Sequence, residues 1–331
     1  MRLSLVLPMG APSEIIGTAR FAEAAGFDGV WMYENLYGAG AFAAAGATVA
    51  ATSRLRVGIG TVSPYTRSSA IVAMEAGLLH RLSGGRFSLG LGASPAEFVG
   101  RLGIDASKPL TVMRETLAVL HELFAGRATT FTGERVRLRD VTLAQPKPAT
   151  APPLYLGAIG ERMLGLAGQL ADGVIFSVLC PLPFIRRALG HVAAGATAAR
   201  RDPARVDVVA YVPFALRSSA REARDLLRPE IATNLARFAG KPDVEKLLTQ
   251  DGILDPARMQ WIARRVGEGA PPGEIIDDEL VDALCLAGNE DDVRRRLVAY
   301  ASAGVHEIAL FGVGTDAPSR EMLTRLVHIS R

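Results

Sequence analysis

Short apolar runs bounded by glycines alternate along the chain with longer segments of helical spacing. The pattern is clearest between Arg54 and Gly103. There, residues 55–59 and 87–91 read as strands buried on both faces. Between them Ile71, Met74, Leu78, Leu79 and Leu82 recur at helical spacing, and Gly84 with Gly85 closes the helix. Further strands are predicted at 3–7, 29–33, 154–156, 173–177, 207–214 and 307–311, with a surface hairpin from 129–131 and 136–138. Helices are predicted at 13–25, around 40–52, and at 108–124, 161–170, 184–199 and 290–303. Eight strands alternating with helices favour a closed α/β barrel, the (β/α)8 TIM barrel, over an open doubly wound sheet. After the seventh strand come about seventy mostly helical residues, punctuated by Pro242, Pro256 and the pair Pro271 and Pro272. Residues 217–286 are therefore expected to be a helical insertion over the carboxyl face of the barrel, within one domain spanning residues 1–331.

Composition narrows the function more than the fold. The chain has 331 residues and a formal net charge of only +3, without a dense basic run interleaved with aromatics. Nucleic acid is not an expected partner. Cys180 and Cys285 are far apart and show no metal-ligand spacing, so no metal is expected and a reducing cytoplasm fits. The first apolar run stops at Pro8, too short for a signal peptide, and no segment is long and apolar enough to span a membrane.

Three glycine clusters carry the candidate chemistry. GIGTVS from Gly58 and GLGASP from Gly90 are incomplete as dinucleotide fingerprints and read as tight turns after buried strands. The third, Gly157, Ala158, Ile159, Gly160, Glu161 and Arg162, leaves a strand and opens a helix. Free amides and the helix dipole would suit a phosphate there, although a plain strand-to-helix turn has the same shape.

The motifs VGIGTVSPYTR, LSGGRFSLGLG, LGIDASKPLTVMRE, PLYLGAIGERMLGLAGQLADGVI and VDVVAYVPF, in that order, resemble the bacterial luciferase-like superfamily. They are most similar to its deazaflavin-dependent branch, which includes methylenetetrahydromethanopterin reductase. The resemblance implies a TIM barrel with an insertion after strand seven. It also implies coenzyme F-420 (a deazaflavin) or FMN at the carboxyl face, a small-molecule substrate, and a homodimer. It puts the cofactor ring against a cis peptide at Gly60-Thr61, beside Val62 and Ser63. The phosphate-bearing tail would lie at Gly157 to Arg162, with Ser177 and Val178 lining the same groove. An acid followed by histidine commonly ends strand two in this superfamily. Here the pair is Glu34 and Asn35, so the acid is present and the imidazole is missing.

The branch's reductases also need carboxylates at the end of strand one and after strand four. Leu5, Val6 and Leu7, and likewise Ala93, Ser94 and Pro95, supply none, and Glu97 is displaced. A different substrate on the same deazaflavin platform follows from that mismatch. Glu34 leads the titratable candidates, as a proton-managing group or as a structural carboxylate. Glu97 is the second, at a helix N-terminus that accommodates an acid in any case. Arg162 would meet the phosphate, and Arg67 would add positive charge for the acidic tail. Tyr65 would lie on the ring or fill its turn. His80 suits the last turn of its helix, and His121, His191, His306 and His328 lie away from the expected mouth. Trp31 is expected in the core, and Trp261, with Met259 and Ile262, on a packing face or as a roof over the substrate. The expected activity is F-420-dependent hydride transfer to or from an organic substrate. The alternatives are an FMN-dependent monooxygenase, a nicotinamide-using reductase, and a non-catalytic flavin- or deazaflavin-binding protein.

Overall fold

The computed structural model describes residues 1–34, 36–144, 150–312, 314 and 316–330. In chain order the first half forms β1 (Arg2–Val6), α1 (Pro12–Ala25), β2 (Gly29–Met32), α2 (Ala41–Ala51), β3 (Arg56–Val62), α3 (Ser69–Leu82), β4 (Phe87–Leu91), α4 (Ala96–Gly100), α5 (Pro109–Phe124), β5 (Thr129–Thr132) and β6 (Arg137–Val141). There follow β7 (Leu154–Gly157), α6 (Glu161–Leu170), β8 (Gly173–Phe176), α7 (Leu182–Ala198) and β9 (Asp207–Leu216). The rest is α8 (Ala220–Phe238), α9 (Pro242–Thr249), α10 (Pro256–Gly267), α11 (Pro272–Ile275), α12 (Asp278–Leu284), β10 (Leu286–Gly288), α13 (Glu290–Ser302), β11 (Glu307–Phe311) and α14 (Ala317–Ser330). The sheet order is β10-β9-β11-β1-β2-β3-β4-β7-β8, with a further β9–β8 pairing that closes eight strands into a parallel α/β barrel. The hairpin β5–β6 is separate and antiparallel. No helix among the described residues is long and apolar enough to cross a membrane.

The chain divides into two compact units, residues 7–175 with 191–207, and residues 1–6 with 176–190 and 208–331. In the first, β2, β3, β4 and β7 pair in parallel, with Val57 opposite Phe87 and Leu91 opposite Leu156. All four of those side chains are fully buried. Burial on both faces explains why these strands read as unbroken apolar runs.

Two expectations from spacing are corrected here. The strand expected over 55–59 runs on to Val62, so Gly60 lies within β3 and not in a turn after it, while Gly58 and Gly90 lie within strands as expected. Gly58 is bare because the Trp31 ring lies on it: an added Cβ would sit 2.3 Å from that ring. Trp31 is core as expected, edge-on to Tyr155 with ring centroids 5.3 Å apart. The second correction concerns α3. Its inner face is Val72, Ala73, Ala76, Gly77, Leu79 and His80, small side chains that let the helix pack closely on α2, α5 and β4. Ile71, Met74, Leu78 and Leu82 are exposed instead.

In the other unit β1 and β9 flank β11, and β10 extends the ladder at the end of β9. Glu307 at the start of β11 is 1% exposed and accepts hydrogen bonds from Arg2 Nε (2.9 Å) and Ser4 Oγ (2.6 Å). Between β9 and β10 the chain forms α8 to α12, and Pro242, Pro256 and Pro272 each open a helix, where a missing N–H costs nothing. Arg224 grips Asp282 with two nitrogens, and Arg228 pairs with Asp225 and Asp278 and donates to the Ile276 carbonyl. These bonds tie α12 and the end of α11 to α8. The short helix expected to begin at Glu97 is α4, whereas the sequence reading did not separate β10 or α14 from their surroundings.

The contact between Trp31 and Gly58 is open to test. Gly58→Ala is expected to lower unfolding stability by roughly 1–3 kcal/mol through overpacking, read in urea melts. Gly46→Ala, on α2 with only ordinary contact at 3.8 Å to Leu79, is expected to be neutral or stabilising. Equal effects at both positions would remove the packing explanation.

Candidate functional site

β3 ends in a bulge, with its register to β4 shifting between Ile59 and Val62, and the Gly60-Thr61 peptide is cis, as the resemblance implied. The Thr61 side chain is lodged between two other strands. A Cβ on Gly92, just past β4, would lie 2.2 Å from Thr61 Oγ1, and one on Gly157, ending β7, would lie 3.0 Å from its Cγ2. Backbone bonds fix the rest. Glu34 N–H donates to the Thr61 carbonyl (3.2 Å) and Gly92 N–H to that of Val62 (2.9 Å). Ser63 Oγ donates to the Ala93 carbonyl (3.3 Å) and is buried. Glu34, Thr61, Val62, Ser63 and Gly157 are thus gathered at the carboxyl ends of neighbouring strands.

The turn from Gly157 to Arg162 bridges β7 and α6. Ala158 is buried and its N–H donates to the Ile175 carbonyl (3.4 Å), whereas Gly160, Glu161 and Arg162 are exposed. Gly160 is the N-cap in extended conformation, and no side chain caps the helix. The first-turn amides of α6 therefore present partial positive charge outward, as an anion site requires.

Glu34 does not stand alone. Arg67 Nη1 lies 2.6 Å from its Oε1 and 2.7 Å from its Oε2, and the carboxylate side chain is 7% exposed. The same guanidinium stacks 5.3 Å over the Phe42 ring, and its Nε is 3.8 Å from Glu75. The hydrogen bond to Glu34 raises the Arg67 pKa further, and burial raises that of Glu75 despite Arg67 beside it. The cation assigned from sequence to an acidic cofactor tail is therefore paired with Glu34 and faces Glu75. A cleft of about 300 Å³ opens beside the pair, lined also by Leu36, Tyr37, Gly38, Ala39, Gly40 and Thr66.

Other expected positions fall as follows. Asn35 lies outside the described residues. Glu97 is exposed in the first turn of the short α4, which Tyr37 Oη reaches by donating to the Phe98 carbonyl (2.6 Å). Tyr65 fills its turn: its hydroxyl is 2.7 Å from the Ser107 carbonyl and 3.0 Å from that of Ala106. Ser177 and Val178 follow β8 in the other unit, the first exposed and the second half-buried. His80 is buried, bonded through its two ring nitrogens to the Phe87 carbonyl and the Thr150 hydroxyl, a packing role. On α10, Met259 and Ile262 are buried and Trp261 is half-buried.

The model of the luciferase-like monooxygenase family matches residues 3–307. The chain belongs to that family. A 5,10-methylenetetrahydromethanopterin reductase of Methanolobus tindarius is 32% identical over 325 residues, 97% of this chain and 96% of the relative. A protein of the same name from Archaeoglobus fulgidus is 29% identical over 87% of this chain and 86% of its own. Among solved structures, the coenzyme F-420-dependent tetrahydromethanopterin reductase of Methanopyrus kandleri shares the fold, with a TM-score of 0.84 over 99% of both chains at 24% identity.

One carboxyl of this luciferase-like chain escaped the sequence reading. Glu230 lies in α8 just after Pro229, a proline inside the helix, which is the only cue the sequence offers. Its Oε1 is shut off from solvent with no hydrogen-bond partner among the described residues. Its carboxyl group lies on the bare Cα of Gly312, past the end of β11, where a Cβ would be 2.1 Å from Oε2. Burial pushes its pKa from the ordinary 4.5 up to about 7. Between those two values the folded chain holds a proton that the unfolded chain has released, so stability falls as pH rises through the window. Glu230→Gln is expected to flatten that slope and to raise stability at pH 8 by at most roughly 3 kcal/mol. Thermal melts of both proteins from pH 4 to pH 8 check it, and parallel profiles would show that another group sets the slope.

Proposed function

We propose that this protein is an oxidoreductase that transfers a hydride between coenzyme F-420 and a small organic substrate. The observation that carries the reading is the end-to-end likeness to methylenetetrahydromethanopterin reductase. The uncapped turn between β7 and α6 supports it. When bound, the deazaflavin supplies the carbon that gives or takes the hydride. The residues of the chain bind and orient. The ring is assigned to the cis peptide at Gly60-Thr61 with Val62 and Ser63, and the phosphate to the amides of Gly157 to Arg162 with the Arg162 guanidinium. Ser177 and Val178 complete the cofactor groove in this assignment. Glu34, paired with Arg67, is suited to accept a hydrogen bond and fix the orientation of ring or substrate, and Asn35 and Glu97 complete the proposed catalytic set. Residues 217–286 are read as the insertion that covers the carboxyl face and shapes the substrate pocket, within one cytoplasmic domain. The motif carboxylates of the pterin reductases are absent here: Leu7 is buried and apolar, and Ala93, Ser94 and Pro95 carry no acid. The substrate is accordingly taken to be a different one.

The homodimer belongs to the same reading. Ile71, Met74, Leu78 and Leu82 leave an apolar stripe on the outside of α3, the kind of surface that isolated chains keep small. Sedimentation of the double variant Met74→Lys, Leu78→Lys is expected to show monomer where the wild type shows dimer, with melting unchanged within a few degrees. A wild-type monomer would end the dimer reading.

Cofactor choice is tested by fluorescence titration of the apoprotein. F-420 is expected to bind at micromolar concentration or tighter and FMN at least roughly tenfold more weakly, a gap of about 1.4 kcal/mol. Arg162→Ala is expected to weaken F-420 binding by roughly 1–3 kcal/mol. FMN binding as tight or tighter would put the monooxygenase reading first, and no binding of either would leave the turn without a ligand.

A further inference from the structure

Five charged side chains gather in one place that the F-420 reading leaves unused. A cleft of about 250 Å³ is lined by Arg224 of α8, Asp282 of α12, Ala287 of β10, and Asp292, Arg295 and Arg296 of α13. All six belong to the unit that includes residues 208–331. We propose that this cleft binds a phosphate group, as the free ion or as a small monoester, held between Arg224 of α8 and Arg296 of α13. The proposal does not depend on the cofactor reading.

The lining charges give the sign of the ligand. Three guanidinium groups meet two carboxylates, which leaves one positive charge in surplus. Both carboxylates are already engaged. Asp282 accepts from Arg224 Nε (2.9 Å) and Nη2 (2.8 Å). Asp292 accepts from the Asn289 N–H (3.1 Å) in the box that caps α13, and from Arg295. Arg224 Nη1 is 3.4 Å from Asp278, which also answers Arg228. Arg296 forms no ion pair among the described residues, and its Nε is shut off from solvent with no hydrogen-bond partner among them. Its cation is felt inside the fold as well: burial pushes the Tyr300 hydroxyl up to about 12, with Arg296 pulling the other way.

The donors left over come from two helices, Arg224 on α8 and the neighbours Arg295 and Arg296 on α13. A carboxylate has two oxygens in one plane and suits a single guanidinium fork. A phosphate presents oxygens in several directions, so it can accept from both helices at once. The cleft is smaller than the roughly 300–1,000 Å³ of drug-sized ligand pockets, which favours a small ion or ester over a cofactor. Among the described residues, the ion pairs of the lining join α8 to α12 and α13 to itself, and none joins α8 to α13. A bound phosphate supplies that link and stabilises the folded chain by mass action. Asp282 and Asp292 repel the same anion, which keeps the affinity modest.

The test titrates the full chain by calorimetry with inorganic phosphate, methyl phosphate and acetate, at an ionic strength held constant with chloride. Inorganic phosphate is expected to bind with a Kd of about 1 mM or tighter, and acetate about tenfold more weakly. Methyl phosphate within about threefold of the free ion assigns the cleft to monoesters, and binding about tenfold weaker assigns it to the ion itself. Arg296→Gln is expected to weaken phosphate binding about tenfold. Arg162→Ala alters the turn before α6, the other place that offers an anion free amides, and is expected to keep the Arg296-dependent binding. Unchanged phosphate affinity in Arg296→Gln, or its loss in Arg162→Ala alone, would overturn the assignment, and acetate as tight as phosphate would overturn the ligand class. Hydrogen exchange of the wild type needs no variant. Phosphate is expected to slow amide exchange in α8 and α13 by about twofold or more, and slowing confined to α6 would place the ion there instead.

Discussion

The end of β3 depends on one side chain meeting bare backbone. Thr61 packs against Gly92 and Gly157, at the ends of β4 and β7; Gly92 has no room for a Cβ beside it, and at Gly157 a Cβ would be a tight contact. With the strand ends that close, the Val62 carbonyl reaches the Gly92 amide and the Thr61 carbonyl reaches the Glu34 amide. The carboxylate after β2, the bulge of β3 and the start of the turn after β7 are therefore positioned by strands, not by loop side chains. Sites built on such elements hold their geometry better than sites carried on loops. A methyl group at Gly92 would displace Thr61, beside which the ring is assigned.

Charge is divided between two places in that unit. At the cleft after β2, Arg67 answers both Glu34 and Glu75, so two carboxylates share one guanidinium and the spot holds no surplus positive charge. At the start of α6 the situation is reversed: the amides are uncapped and Arg162 is exposed in the first turn. Anionic groups are favoured at the second place and not at the first. Dispersed negative charge further along a cofactor tail would have to find cations other than Arg67.

The strands were legible because burial on both faces makes them continuous apolar runs, and the alternation with helices was enough for the barrel. The cis peptide came only through the family resemblance, since nothing in GIGTVS by itself distinguishes it from a plain strand end. Periodicity misled where both faces of a helix carry apolar residues. On α3 the stripe of larger side chains lies outside, and Ala73, Ala76 and Gly77 take the crowded inner face. The reason for the glycines of β3 and β4 was not legible because it is tertiary: the ring of Trp31 demands Gly58, and the backbone of β3 crowds Gly90. The pairing of Arg67 with Glu34 and the seat of Glu230 on Gly312 likewise join residues far apart in sequence. β10, only three residues long, has too few positions to show a period.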